Sequence, residues 1–253
     1  GLTGAPYTPP GPGVGTVSAG QDTVVFKLNS GLTSLISWAV LGGSGTDTGR
    51  DVAISNAGDV FVLSTCATAF PTTVGAYDTT LGGTADICVS RLNSGLTSLV
   101  ASTFIGGTGA EVAGNILYDE TNSRVILSGT AAATGYPTVC TIGGACTAFQ
   151  TAYSASTDFV LSVFDPTLTG TGSLLSSTYY GGSGAETIPG NDTLALDSTG
   201  NIIFTGQTVS SGLASSGAYD STAISGTGDA LIVKFGQSLS TTARVAATYY
   251  AET

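Results

Sequence analysis

Two series of carboxylates recur along the chain, and their spacing makes them the first candidates for chemistry. Asp22, Asp86, Asp158 and Asp229 each open an apolar run, read as DTVVFKL, DICVSRL, DFVLSVF and DALIVKF. Asp47, Glu111 and Glu186 each close a glycine-rich turn, GGSGTD, GGTGAE and GGSGAE. Acids of this kind can gather a cation such as calcium together with nearby carbonyls. Alternatively each carboxylate caps backbone N–H groups of its own turn. Capping is favoured for Asp47, Glu111 and Glu186, because no dense Asp/Asn loop of the calcium-binding type accompanies them. The acids recur one per unit, so no pair placed for glycoside hydrolysis stands out.

The rest of the catalytic inventory is thin. The chain has no His among its 253 residues, which removes the Ser-His-Asp and Cys-His arrangements and the commonest transition-metal ligand. GGSG and GGTG have the wrong spacing for a phosphate loop and sit between strands, where they read as tight turns. The expectation is a protein that is not an enzyme and carries no cofactor.

Four cysteines remain. Cys140 and Cys146 bracket TIGGA and can close a small ring, while Cys66 and Cys88 flank a loop between two strands. Two disulfides, Cys140–Cys146 and Cys66–Cys88, are the favoured reading and would place the chain in an oxidising compartment; the other reading is a set of buried thiols. Lys and Arg total 6 against 17 acids, with no basic cluster, so nucleic acid is not an expected partner. No apolar run is long enough for a membrane span. Asn191-Asp192-Thr193 matches a glycosylation sequon, a short and common pattern. Trp38, Phe104, Tyr179, Tyr180, Tyr249 and Tyr250 end the second strand of each unit. They can pack between sheets, which is favoured, or stack on sugars or a protein partner.

These residues are placed by a repeat. LNSGLTSL occurs at Leu28–Leu35 and again at Leu92–Leu99. Each Asp-led run is followed by a second strand, LISWAVLGG, LVASTFIGG, LLSSTYYGG and ARVAATYY. After the first three comes a hairpin: DVAIS-NAG-DVFVLS, ILYD-ETNS-RVILSG, LALD-STG-NIIFTG. A looser Pro/Gly/Thr connector closes each unit, and Ser210 falls in one such loop, where an acidic substitution should be tolerated. No stripe of helical period appears, so almost no helix is expected. Four short strands in a repeating unit predict an all-β, propeller-like repeat of four-stranded blades. Runs such as VVFKL and IIFTG, apolar at consecutive positions, fit sheets covered on both faces.

Segments such as LALDSTGNIIFTG, GAYDS, GDALIVKF and SSTYYGGSGAE resemble the bacterial SBBP family of β-propeller repeats, over nearly the whole chain. The resemblance implies secreted or surface proteins of bacteria and archaea and brings no catalytic motif. By analogy with related propellers, the LALDS-like strand is innermost. The frame then gives a Pro/Gly-rich arm at 1–21 and a repeat domain at 22–253. Within that domain stand a half blade at 22–43 and blades at about 51–108, 115–183 and 192–250. The half blade has no inner hairpin before it, and about three and a half blades do not close a ring.

Unclosed blades leave edges and apolar faces that something must cover. The leading expectation is an extracellular structural protein whose copies associate through strand edges into a fibre or surface layer. The alternative is a binding module that recognises a glycan or protein on one propeller face. The residues placed at the assembly junction are Gly1, Pro6, Tyr7, Pro9, Pro10 and Pro12 of the arm, with Val24, Phe26 and Trp38 of the half blade.

Overall fold

The computed structural model describes residues 13–15, 17–144, 146–190, 192–223 and 228–250. Gly1, Pro6, Tyr7, Pro9, Pro10, Pro12 and Asn191 lie outside the described residues. The fold is all-β, built from antiparallel sheets, and the only helical feature among the described residues is a 3-10 turn at Thr171–Ser173.

Four sheets follow one another along the chain. Sheet I contains β1 (Gly13–Val14), β2 (Thr23–Leu28) and β3 (Leu35–Leu41), with β3 in the middle and β1 parallel to it. Sheet II is β4 (Thr48–Ile54), β5 (Val60–Cys66), β6 (Asp86–Leu92) and β7 (Leu99–Ile105), paired in chain order. Sheet III contains β8 (Glu111–Asp119), β9 (Arg124–Ala131), β10 (Val139–Cys140), β11 (Asp158–Phe164) and β12 (Leu174–Tyr180). Its order is β8-β9-β11-β12, with the short β10 on the outer edge. Sheet IV contains β13 (Glu186–Thr187), β14 (Leu194–Leu196), β15 (Ile202–Thr208), β16 (Asp229–Phe235) and β17 (Arg244–Tyr250). There β13 and β14 both pair with β15, as two pieces of one interrupted strand.

The strands are rich in Val, Ile, Phe and Tyr, which suit a pleated, packed surface. Because side chains alternate faces, each middle strand supplies two cores. In β9, Val125 and Leu127 join the core shared with sheet II, whereas Ile126 joins the core shared with sheet IV. β11 does the same, with Val160 and Phe164 on one side and Phe159, Leu161 and Val163 on the other. In β5, Phe61 and Leu63 face sheet III, while Val60 and Val62 face sheet I. The sheets therefore stack in the order I–II–III–IV, which covers the consecutive apolar runs of sheets II and III on both faces, whereas VVFKL of end sheet I leaves Val24 and Phe26 exposed.

Glycine makes room where one sheet enters the next. A Cβ on Gly206 would lie 2.3 Å from Cζ of Phe159, and one on Gly129 would lie 2.5 Å from Cδ1 of Ile87. Large side chains thus fill hollows in the following sheet, and close packing leaves no slack for a methyl group. Phe159 also meets Phe204 edge to face, with ring centroids 4.7 Å apart.

Polar links tie the first strands of neighbouring sheets. Asp51 Oδ2 of β4 accepts the N–H of Ile116 at 2.9 Å, and Asn115 Oδ1 of β8 accepts the Thr193 hydroxyl at 2.5 Å. Arg50 Nε donates to the carbonyl of Ala113 at 2.9 Å. These bonds fix the rotation of one sheet on the next, which apolar contact alone sets poorly.

Candidate functional site

The recurrent acids sit where neighbouring sheets meet, and both series accept the same bond. Asp86 Oδ2 accepts the N–H of Gly82 and Asp158 Oδ2 that of Ser154, each at 2.8 Å. Asp22 Oδ2 accepts the N–H of Ser18 at 2.8 Å. In the glycine turns, Gly43 donates to Asp47 Oδ2 at 2.7 Å, Gly107 to Glu111 Oε2 at 2.8 Å and Gly182 to Glu186 Oε2 at 3.4 Å. Every donor lies four residues before its acceptor. Asp229 is buried at the corresponding start of β16.

The two series also meet each other, contrary to the expectation of one isolated acid per unit. The buried carboxyls stand side by side, since a Cβ on Gly106 would meet both Asp86 and Glu111 and one on Gly181 both Asp158 and Glu186. Two carboxyls can bond only if one carries a proton. Burial, together with the charge of Asp86 beside it, pushes the pKa of Glu111 up to about 7, so Glu111 is the group of the first pair placed to carry a proton. Burial likewise raises Asp86, Asp158 and Glu186, the last with the added charge of Asp158. At the start of sheet II the shorter Asp47 instead accepts two N–H groups, from Gly43 at 2.7 Å and Ala67 at 2.8 Å.

The carboxyls need the glycines. A Cβ on Gly106 would lie 2.3 Å from Cγ of Asp86 and 2.7 Å from Oε2 of Glu111. At Gly181 it would lie 2.3 Å from Oδ1 of Asp158 and 2.6 Å from Oε2 of Glu186. In these two GG pairs, the first glycine clears space for two carboxyls and the second donates to one of them.

Asp47, Glu111 and Glu186 do not converge. Each serves its own turn, at the start of a different sheet, and among the described residues no three His, Cys, Asp or Glu side chains are grouped to hold a metal. Asp47, Glu111 and Glu186 each accept an N–H of their own turn, the role favoured for them from the sequence.

A pH dependence follows, with a definite sign. The raised carboxyls bind protons in the folded state that they lose in the unfolded one. The stability they contribute is full below the unfolded carboxylate pKa of about 4 and is lost as pH rises towards about 7. Asp119 acts in the opposite sense. Burial raises it, but bonds from Asn122 and Arg124 outweigh this and hold it below the usual range, so its contribution is lost in acid. Melting temperature should peak at about pH 4–5 and fall by roughly 5 °C towards pH 8. Glu111→Gln keeps a donor for Asp86 and an acceptor for Gly107, so it should flatten that fall. Equal slopes for Glu111→Gln and the parent in pH-resolved calorimetry would exclude the shared proton.

Cys140 and Cys146 are joined by a disulfide, with Cα atoms 5.2 Å apart. Cys66 and Cys88 are not joined. The register sets Cys66 opposite Asp86 and Cys88 opposite Ser64, so the two thiols are diagonal neighbours on adjacent strands. That diagonal is roughly 7–8 Å between Cα atoms, longer than a disulfide spans. Both are buried thiols, and burial pushes both pKa values up.

The aromatic series is mostly interior. Trp38, Phe104, Tyr179, Tyr180 and Tyr249 are buried, which removes them as a sugar-stacking platform. The hydroxyl of Tyr179 accepts from the N–H of Tyr136 at 2.9 Å, and that of Tyr249 from Leu213 at 2.8 Å, so both bind connectors. Trp38 is therefore not an exposed assembly residue, whereas Val24 and Phe26 are exposed.

Val24 and Phe26 lie on β2, whose far edge has no strand beside it among the described residues. In the other sheets the corresponding strands β6, β11 and β16 are flanked on both sides. Beside β2, towards β4, runs an apolar groove of about 290 Å³ lined by Val25, Phe26, Val52, Ile54, Val60 and Leu96. Phe26 is 60% and Ile54 64% exposed there. Sequence reasoning had marked β2 but not the β4 wall, because Val52 and Ile54 look like core positions.

No family model and no curated protein matches the chain. Among solved structures, the Hadza microbial sialidase Hz136 is similar over 81% of this chain, with 9% identity and a TM-score of 0.44; the chain covers 37% of that protein's length. No helix among the described residues is long and apolar enough to cross a membrane.

Proposed function

We propose that this is a non-enzymatic structural protein of the cell surface or extracellular space, whose copies associate through strand edges into a fibre or layer. The stacked sheets are read as blades of a propeller-like repeat, sheet I being a blade that lacks its inner hairpin. The observation that carries the reading is the edge of β2, which has no strand beside it among the described residues, with the apolar groove alongside. A strand of another copy added there gains a backbone ladder and buries Phe26 and Ile54. Such a contact is heterologous and can propagate. The Cys140–Cys146 disulfide suits an oxidising compartment, and a chain with few charged residues has little repulsion between copies.

Sedimentation velocity from micromolar to millimolar chain tests this. The parent should form oligomers that grow with concentration, and Ile54→Asp, at an exposed position, should keep its melting temperature while associating about tenfold more weakly. A parent chain that stays monomeric throughout would overturn the reading and favour a binding module instead.

A further inference from the structure

In every sheet the turn between the last two strands holds a leucine in left-handed backbone. The φ angles are 55° at Leu32, 54° at Leu96, 53° at Leu168 and 48° at Leu239. Leucine adopts this conformation only where its surroundings compensate. Three of the four show the compensation. Leu96 enters the core between sheets I and II, Leu168 that between II and III, and Leu239 that between III and IV. Each points at the sheet before its own. Leu32 has no earlier sheet to enter among the described residues, and it is 74% exposed.

Sheet IV shows the complementary half. Each connector lays its backbone against the leucine turn of the next sheet: Tyr77 donates its N–H to the carbonyl of Leu168 at 3.1 Å, and Phe149 to that of Leu239 at 2.9 Å. The Tyr77 ring packs on Phe164 and the Phe149 ring on Phe235. The corresponding residue of the sheet IV connector is Tyr219, which is 88% exposed. Cations repeat the step. Lys27 donates to the carbonyl of Ser94 at 3.1 Å, Arg91 to Pro166 at 3.2 Å and, in sheet III, Arg124 to Gln237 at 2.9 Å. Lys234 stands in sheet IV where Lys27 and Arg91 stand in theirs, and its partner Asp197 lies within sheet IV. Tyr250 matches Tyr180, whose ring meets Phe235 at 5.7 Å, yet Tyr250 is 62% exposed.

We propose that sheet IV of one copy packs on sheet I of the next, head to tail, through the contacts that join successive sheets inside the chain. The occupant of each end face is a second copy of this chain, because among the described residues the two faces are the two halves of one repeated interface. Leu32 then enters the core beside Ile232, the Tyr219 N–H meets the Leu32 carbonyl, and Lys234 reaches the carbonyl of Ser30. This rests on the self-association reading and adds to the β2 edge a second surface, the outer faces of sheets I and IV.

The internal bridges Ala76 with Thr169 and Ala148 with Ser240 give the test its geometry, since their counterpart between copies is Ala218 with Thr33. Full-length Ala218→Cys and Thr33→Cys chains, mixed and treated with a short bis-maleimide, should give a covalent dimer that neither gives alone. The double variant should give a ladder. Leu32→Gly relieves the left-handed backbone, so it should fold as stably as the parent while associating about tenfold more weakly. A parent that associates without the mixed cross-link, and a Leu32→Gly chain that associates fully, would assign assembly to another surface. A cross-link confined to single chains of the double variant would mean closure within one molecule, which overturns the proposal. A parent that never associates would remove the self-association reading along with it.

Discussion

Gly106→Ala should cost about 3 kcal/mol or more of folding stability, although it adds a single methyl group. The new Cβ would lie 2.3 Å from Cγ and 2.4 Å from Oδ1 of Asp86. Asp86 cannot swing aside cheaply, because its side chain is short and its other oxygen holds the Gly82 N–H at 2.8 Å. Glu111 closes the other side of the hollow. Gly172→Ala is the matched control, since a Cβ there meets nothing within 4 Å and its backbone is not left-handed. It should stay within about 0.5 kcal/mol of the parent. Chemical denaturation of the two variants decides the matter: similar midpoints would mean that the carboxyl pair yields and is not a rigid joint.

Arg124→Met is expected to be as damaging, by about 3–5 kcal/mol, for a different reason. Arg124 and Asp119 are both buried and bonded at 2.8 Å. The guanidinium also donates to the carbonyls of Gln237 at 2.9 Å and Gly200 at 3.2 Å, so one side chain joins sheet III to two turns of sheet IV. Methionine fills the volume but strands the Asp119 charge and two carbonyls in the interior. Asp119→Leu combined with Arg124→Met should recover part of the loss, because no buried carboxylate is then left without its cation. Thermal melts of the single and double variants measure this, and strictly additive losses would count against a buried pair.

Much of the architecture was legible because it rests on local signals. Turn residues between short β-rich runs marked the hairpins, and consecutive apolar positions marked sheets covered on both faces. The carboxyl pairs were not legible. Asp86 and Glu111 belong to different repeating units and meet only when sheets II and III stack. A usable signal existed in the Gly or Ser four residues before each acid, which is the N–H donor. Cys66 and Cys88 flank a connector as a stapling pair would, but only the strand register shows their diagonal offset. Ser210 misled in the same way. Its setting reads as a polar loop, yet its side chain is buried and its hydroxyl accepts the Gly184 N–H at 2.8 Å, so an Asp there is not a neutral control. Composition does not reveal burial under a neighbouring connector.

The alternation in β9 and β11, where successive residues belong to different cores, bears on how this protein comes apart. Two nearest-neighbour interfaces share one backbone, so loosening sheet III releases both at once, whereas loosening an end sheet releases one. Free energy of local opening therefore rises from the outer sheets of the described stack to its centre. A growing polymer of such units would convert each terminus into a centre, making every added subunit more cooperative than the last free one.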